Sequence, residues 1–291
     1  MLWFPLALLT AVFSATEVAI IKARLTHLSS FEYAAYPVAY GLPLMLAVAF
    51  VAAPPEGGLP LSFWLTLAMV LPLNLLAYLC SMRAIALSPL SLTMPFMALS
   101  PMIVMVAGRF MLGEGMGPWG VAGIATVTLG GYVLNAETAR HGALLEPFRA
   151  LARDKGVRLM AFAGLILGVS VTVGKSLALQ SSPLYAAGVV FSSHNALVLL
   201  VALTYGRARP RVLLAHPRIG LLLGAMGTAH VVLHFFAITM TVAAYMISVK
   251  RLSGLIGVVY GHLFFGEKHV LPRLAGATLM AAGVAMIALA G

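Results

Sequence analysis

The sequence predicts an all-α integral membrane protein, ten transmembrane helices arranged as two inverted five-helix repeats, and three observations carry that prediction. Of the 291 residues, 62% are hydrophobic and 9% charged, where a soluble domain carries about 25% charged residues. The mean hydropathy is +1.02. Apolar windows of about 20 residues, the length that crosses a bilayer, recur ten times along the chain. The second half also repeats the first at a fixed offset.

The windows run 3–23, 33–52, 62–85, 90–111, 118–135, 159–181, 184–205, 218–239, 243–265 and 272–290, each read from hydropathy and length. The opening stretch MLWFPLALLTAVFSA has the apolar core of a signal peptide but no basic flank before it. A similar segment recurs later, so it is read as the first helix. Pro43, Pro72, Pro95 and Pro101 fall inside spans, where neighbouring helices satisfy the freed carbonyls and kinks are expected.

The repeat is most legible in the fourth and fifth spans against the ninth and tenth. Ser100 answers Ser253, Gly108 answers Gly261, Gly113–Glu114 answers Gly266–Glu267, Gly123 answers Gly276, and Gly130 answers Gly283, each pair 153 positions apart. Lys22 and Lys175 share the offset, and a one-residue slip then aligns SSFEYAAY (29–36) with SSPLYAAG (181–188). Residues 1–135 form the first unit, 136–158 a basic linker and 159–291 the second unit. Five spans is an odd number, so the second unit enters the membrane upside down relative to the first, and a binding site is expected near the midplane where the units face each other.

The linker carries Arg140, Arg149, Arg153, Lys155 and Arg158 with Glu137, Glu146 and Asp154. It predicts a short interfacial helix over 143–154 whose apolar face is Leu144, Leu145, Phe148 and Leu151. Arg207, Arg209, Arg211 and Arg218 follow the seventh span, and Lys268 and Arg273 precede the tenth. These three basic loops share one side, which the positive-inside rule assigns to the cytoplasm, with both termini outside.

The net charge of +10 does not indicate nucleic acid, because the cations sit in short loops beside lipid headgroups. The single Cys80 excludes a disulfide framework and a multi-cysteine metal site. No nucleophile stands beside a general base at workable spacing, so an enzyme is not expected, and neither is a cofactor.

Charged and polar residues inside spans are costly and mark cavities or pathways. Lys250 and Arg251 lie several residues inside the ninth span; a lysine's point charge and an arginine's planar fork together suit an oxyanion. The competing reading is snorkelling to the headgroups. His230 and His234 are four apart and share a helix face, either as a cavity wall or as neutral histidines bonded within the bundle. His194 and Asn195 follow Ser192 and Ser193 in mid-span and should line the interior, as should Asn74 with Tyr78 one turn on. A zinc site would need ligands beyond His194 and the histidine pair, and none is expected.

Glu17 sits five residues before Lys22; a buried acid can exchange protons as substrate binds, or it can pair with Lys22 or Lys175. Lys175 is the second candidate for proton coupling beside Glu17, or it reaches the interface from its helix end. Glu114 and Glu267 each precede a helix, where a carboxylate caps free amides, and no transport role is assigned to them. Glycines at 120, 123, 130, 131, 257, 261, 276 and 283 suit close helix packing.

Two units of five helices, each with a fourth span closing in Leu-Gly-Glu (112–114) or Phe-Gly-Glu (265–267) before a Gly-rich fifth, resemble the ten-helix EamA-type members of the drug/metabolite transporter superfamily. The resemblance implies a secondary transporter working by alternating access, with termini in the cytoplasm, opposite to the charge rule. ISVKRLSGLIGVVYGHLFFGEK resembles the helix in which plastid triose-phosphate translocators hold the substrate phosphate with an adjacent Lys-Arg, which implies that role for Lys250 and Arg251. Glu17 resembles the coupling carboxylate of the small multidrug members.

The expectation is therefore a transporter of a small anionic metabolite, an organic phosphate or carboxylate, in a bacterial plasma membrane as monomer or homodimer. Amino-acid export is the alternative, with the cations on the carboxylate and Glu17 on the amine; a channel and a membrane enzyme are more distant ones.

Overall fold

The computed structural model describes residues 1–25, 28–88, 90–136, 145–206, 208–266 and 271–290. Glu267, Lys268, Arg207, Glu137, Arg140 and Leu144, all used in the sequence reading, lie outside them. The described residues form helices and connecting turns, with no strand.

The first half comprises α1 (Trp3–Arg24), α2 (Ser30–Ala52), α3 (Leu61–Leu87), α4 (Leu90–Ala98), α5 (Ser100–Leu112) and α6 (Pro118–Ala136). After α7 (Glu146–Arg153) come α8 (Lys155–Gln180), α9 (Pro183–Thr204), the short α10 (Pro210–Leu213), α11 (Pro217–Thr239), α12 (Ala243–Lys250), α13 (Leu252–Phe265) and α14 (Leu271–Ala290). Among the described residues, seven helical runs are long and apolar enough to cross a membrane, within α1, α2, α3, Leu92–Leu112, α8, α9 and α11. Outward-facing Leu65, Phe110, Leu200 and Phe264 would be intolerable in water as a group and suit a lipid surround.

Local chemistry fixes the helix ends. Ser29 and Glu32 form a reciprocal capping box at the start of α2, satisfying two amides that would otherwise be orphaned. Asp154 caps α8 by accepting the Val157 amide at 2.9 Å, and the Ser88 hydroxyl bonds the same carboxylate. Gly113 and Gly266 end α5 and α13 in the left-handed region, at φ 67° and 65°, a geometry that favours glycine. The likeness of Leu-Gly-Glu and Phe-Gly-Glu thus has a backbone cause.

Two spans expected to be continuous are not. The fourth divides at Leu99 and the ninth at Arg251, where single residues tighten the helix: Met102 N–H donates to Leu99 O at 3.1 Å and Gly254 N–H to Arg251 O at 3.0 Å, i to i+3 bonds of the 3₁₀ type. Pro101 supplies no amide to the first interruption. The interruptions touch, because Arg251 Nε donates to Ser100 Oγ at 2.8 Å.

Among the described residues the linker helix is α7, Glu146–Arg153. Pro147 and Ala150 are its buried residues, Phe148 stacks on Tyr132 at 5.3 Å between centroids, and Leu145 is exposed. Stacking on α6 anchors the helix, while Leu145 and Phe148 keep apolar surface facing outward.

The two glycine-bearing fifth helices, α6 and α14, pack backbone to backbone. A Cβ on Gly123 would meet Gly283 O at 2.8 Å, and one on Gly276 would meet Gly130 O at 2.7 Å. The repeat maps Gly123 to Gly276 and Gly130 to Gly283, so it maps this contact onto itself. That is the signature of a two-fold relation between halves, as in an isologous interface.

Candidate functional site

Each helix around the bundle's interior presents a stripe at helical spacing. On α3 the stripe is Val70, Asn74 and Tyr78; on α8 it is Leu167, Ser170, Val171 and Gly174; on α11 it is His230, Val231, His234 and Phe235. With Val190, Phe191 and His194 from α9, and Lys250 from the end of α12, these enclose a cavity of about 320 Å³. A second cavity of about 230 Å³ lies between α1, α2, α9 and α11, and Glu17, Gly41, Asn195, Gly227 and Thr228 are on its wall. Phe191, His194, His230 and Val231 line both, so one partition separates the two spaces.

The charges are segregated. Lys250 is on the wall of the larger cavity and Glu17 on that of the smaller. His230 stands between, its Nδ1 4.0 Å from Glu17 Oε2, too far for a hydrogen bond.

The polar wall is only partly satisfied from within. Ser170 Oγ donates to Asn74 Oδ1 at 2.5 Å, which orients the Asn74 amide. Tyr78 Oη, His194 Nδ1, His234 Nδ1 and Thr228 Oγ1 are buried with no hydrogen-bond partner among the described residues, and all four residues line one cavity or the other. A buried polar atom left unpaired costs about 1–3 kcal/mol, so four on one interior surface equip it to bind a polar molecule or water. His194 is held edge-on by Tyr78 at 6.4 Å and Phe191 at 5.9 Å.

Of the residues singled out from sequence, Lys250, His230, His234, His194, Asn74 and Tyr78 meet around the larger cavity, and Glu17 and Asn195 join His194 and His230 around the smaller. Two lie apart. Arg251 is at the interruption of the ninth span, turned to Ser100, and lines neither cavity. Lys175 is 2.5 Å from Glu114 and donates to Thr241 O at 2.5 Å. Of the two lysines weighed as ion partners for Glu17, Lys175 is therefore engaged elsewhere, and Lys22 lies 4.7 Å over the Phe265 ring.

Glu114 does cap a helix, though not the next one. Its oxygens both accept the Ala243 amide at 3.1 Å, at the start of α12 in the other half. Its carboxylate rests on Gly108, where a Cβ would meet Oε2 at 2.5 Å, so the glycine is what lets the acid fold back. Sequence reading missed Ser170 and Thr228 as wall residues. Their signal was a hydroxyl inside an apolar span, Thr228 two residues before His230, but serine and threonine are also common at helix packing faces.

Groups of three or more His, Cys, Asp or Glu able to hold a metal are absent among the described residues. No curated protein matches the sequence. One solved structure, titled "Crystal structure of protein", superposes with a TM-score of 0.74 at 15% identity, covering 99% of this chain and 96% of that one; at such identity the likeness speaks for the fold. The model of the EamA-like transporter family matches twice, over residues 1–136 and 154–289. The chain belongs to the EamA-like transporter family, a group of multi-pass membrane proteins within the drug/metabolite transporter superfamily.

Proposed function

We propose that the protein is a secondary transporter for a small anionic metabolite, a carboxylate before an organic phosphate, held by Lys250 in the larger cavity. The observation that carries the reading is a single lysine on the wall of a largely apolar cavity whose other polar atoms include three without an internal partner, on Tyr78, His194 and His234. An ammonium in the membrane interior is expensive alone and is offset by an anion. One lysine matches one negative charge; with Arg251 turned to Ser100, the pair of cations that suited a phosphate dianion does not converge. The apolar wall of Val70, Leu167, Val171 and Val190 fits a hydrocarbon body better than a polyol.

Transport follows from two halves rocking about this site. In this reading all ten apolar segments span the membrane, including α6, the α12–α13 pair and α14. The units are 1–135 and 159–291, the loops with Arg209 and Arg211 face the cytoplasm, and the protein is a monomer or homodimer in a bacterial plasma membrane. The 3₁₀ interruptions at Leu99 and Arg251 are the places where each half can flex. Exchange and proton coupling are both compatible with the cycle.

The test is thermal unfolding of the purified protein with sugar phosphates, inorganic phosphate, monocarboxylates and amino acids. A ligand at about 100 times its Kd stabilises by about 2.7 kcal/mol. Carboxylates should raise the midpoint of the wild type and not of Lys250→Gln. Stabilisation by sugar phosphates that needs Arg251 would restore the phosphate reading, and equal shifts in both proteins would remove Lys250 from the site.

A further inference from the structure

Glu17 is a carboxylate in the middle of the bundle with no ion partner in direct contact among the described residues, and Lys250 acts on it only through space. Its side chain is only 20% exposed, and the nearest ion partner, His230 Nδ1, is 4.0 Å away. A Cβ on Gly227 would stand 3.7 and 3.9 Å from its two oxygens, so the acid lies against a position on α11 without a side chain, and the smaller cavity opens beside it. An ionised carboxylate in such a place needs a positive partner or a proton.

The same cavity offers further ligands. Thr228 Oγ1 and His194 Nδ1 are buried on its wall without partners, and Asn195 adds an amide. The Phe191 ring lies on the partition between the two cavities. A carboxylate, a hydroxyl and an amide oxygen form a hard-oxygen set, and a cavity of about 230 Å³ admits a compact group.

We propose that the smaller cavity is a cation subsite in which Glu17 receives one compact monovalent positive charge while Lys250 holds the anionic group across the partition. The charge is either an ammonium carried by the transported molecule or a free alkali ion moving with it. The inference rests on the anion site proposed above and extends it: the cargo, alone or with its ion, is electrically balanced inside the cavity.

The experiment uses the full-length protein in detergent and measures binding by calorimetry and thermal shift. Three probes share one branched skeleton sized to the apolar wall: leucine, 4-methylpentanoate, which lacks the ammonium, and isoamylamine, which lacks the carboxylate. Each is measured in sodium and in N-methylglucamine, on wild type, Glu17→Gln, Thr228→Val and Lys250→Gln.

A positive charge should tighten binding of the wild type at least tenfold over 4-methylpentanoate in N-methylglucamine. If leucine gains without sodium, the charge is the substrate's own ammonium; if 4-methylpentanoate gains on adding sodium, it is a free ion. Glu17→Gln should erase the gain and leave the residual carboxylate binding. Thr228→Val keeps the side-chain volume and should reduce the gain in the same direction, so the subsite remains testable if the Glu17 variant does not fold. A gain that survives Glu17→Gln, or no gain in the wild type, overturns the subsite. If Lys250→Gln keeps full 4-methylpentanoate binding, the anion site fails instead, and sodium or isoamylamine effects that still need Glu17 would leave the cation subsite standing alone. Absence of binding by every probe overturns both.

Discussion

Lys250 and Arg251 are neighbours in sequence with different surroundings, because successive residues on a helix project about 100° apart. Lys250 ends α12 on the cavity wall, while Arg251 begins the turn that meets Ser100. Adjacent cations inside a span were legible in the sequence; which of them faces the cavity depends on the 3₁₀ interruption, which no hydropathy pattern encodes. At the same scale, Tyr78→Phe removes a hydroxyl with no internal partner. Unfolding should shift by less than about 1 kcal/mol, since no protein hydrogen bond is lost, whereas carboxylate binding should weaken severalfold; denaturant unfolding and calorimetry on one preparation check both.

Asp154 gives a pH prediction outside the membrane-spanning segments. The Ser88 hydroxyl first, then the Val157 amide, hold its pKa below the ordinary aspartate value. A depressed carboxylate contributes stability above the unfolded value, about pH 4, and the contribution disappears as pH falls through the folded value. Thermal midpoints of wild type and Asp154→Asn should therefore converge as the pH is taken from 6 to about 3. A constant gap would show that the cap does not titrate with folding.

Among elements, the joint at Glu114 connects the first half to α8 and α12 of the second. Its carboxylate holds the Lys175 ammonium and the first amide of α12, and the Lys175 and Glu114 side chains are nearly buried at 8% and 9% exposure. Breaking such a pair from one side leaves an uncompensated charge and costs about 3–5 kcal/mol. Lys175→Met should show that loss in denaturant unfolding, and Lys175→Met with Glu114→Gln should recover most of it. A double variant as unstable as the sum of the singles would mean the two residues act separately. Read along the chain alone, each of these residues has a local role, a cap for the next helix and a lysine at a helix end. The contact that joins them is long-range, and spacing along the chain cannot disclose it.

Across the whole molecule, the pseudo-two-fold packing of α6 on α14 is the feature most fully written in the sequence. The glycines recur at the offset of the repeat and meet reciprocally. Gly130→Leu would drive a side chain into the Met280 amide, 2.6 Å from the position of its Cβ, an overpacking that costs about 1–3 kcal/mol or more; the yield of folded protein should fall, and Gly283→Leu should behave alike because the repeat relates the two. All-helical architecture and the duplication were legible because bilayer thickness and repetition leave direct marks on composition and spacing. The division of the interior into two cavities of opposite charge was not, because it depends on how seven helices rotate against one another.

The central claim is that this interior carries an anion across the membrane by way of Lys250. Counterflow in proteoliposomes tests it most directly: vesicles loaded with unlabelled 4-methylpentanoate are diluted into a trace of the labelled acid. Transient accumulation of label above its outside concentration, saturating with substrate and lost in Lys250→Gln, is the predicted result. Equal, non-saturating entry with the wild type, with Lys250→Gln and in empty vesicles would contradict it.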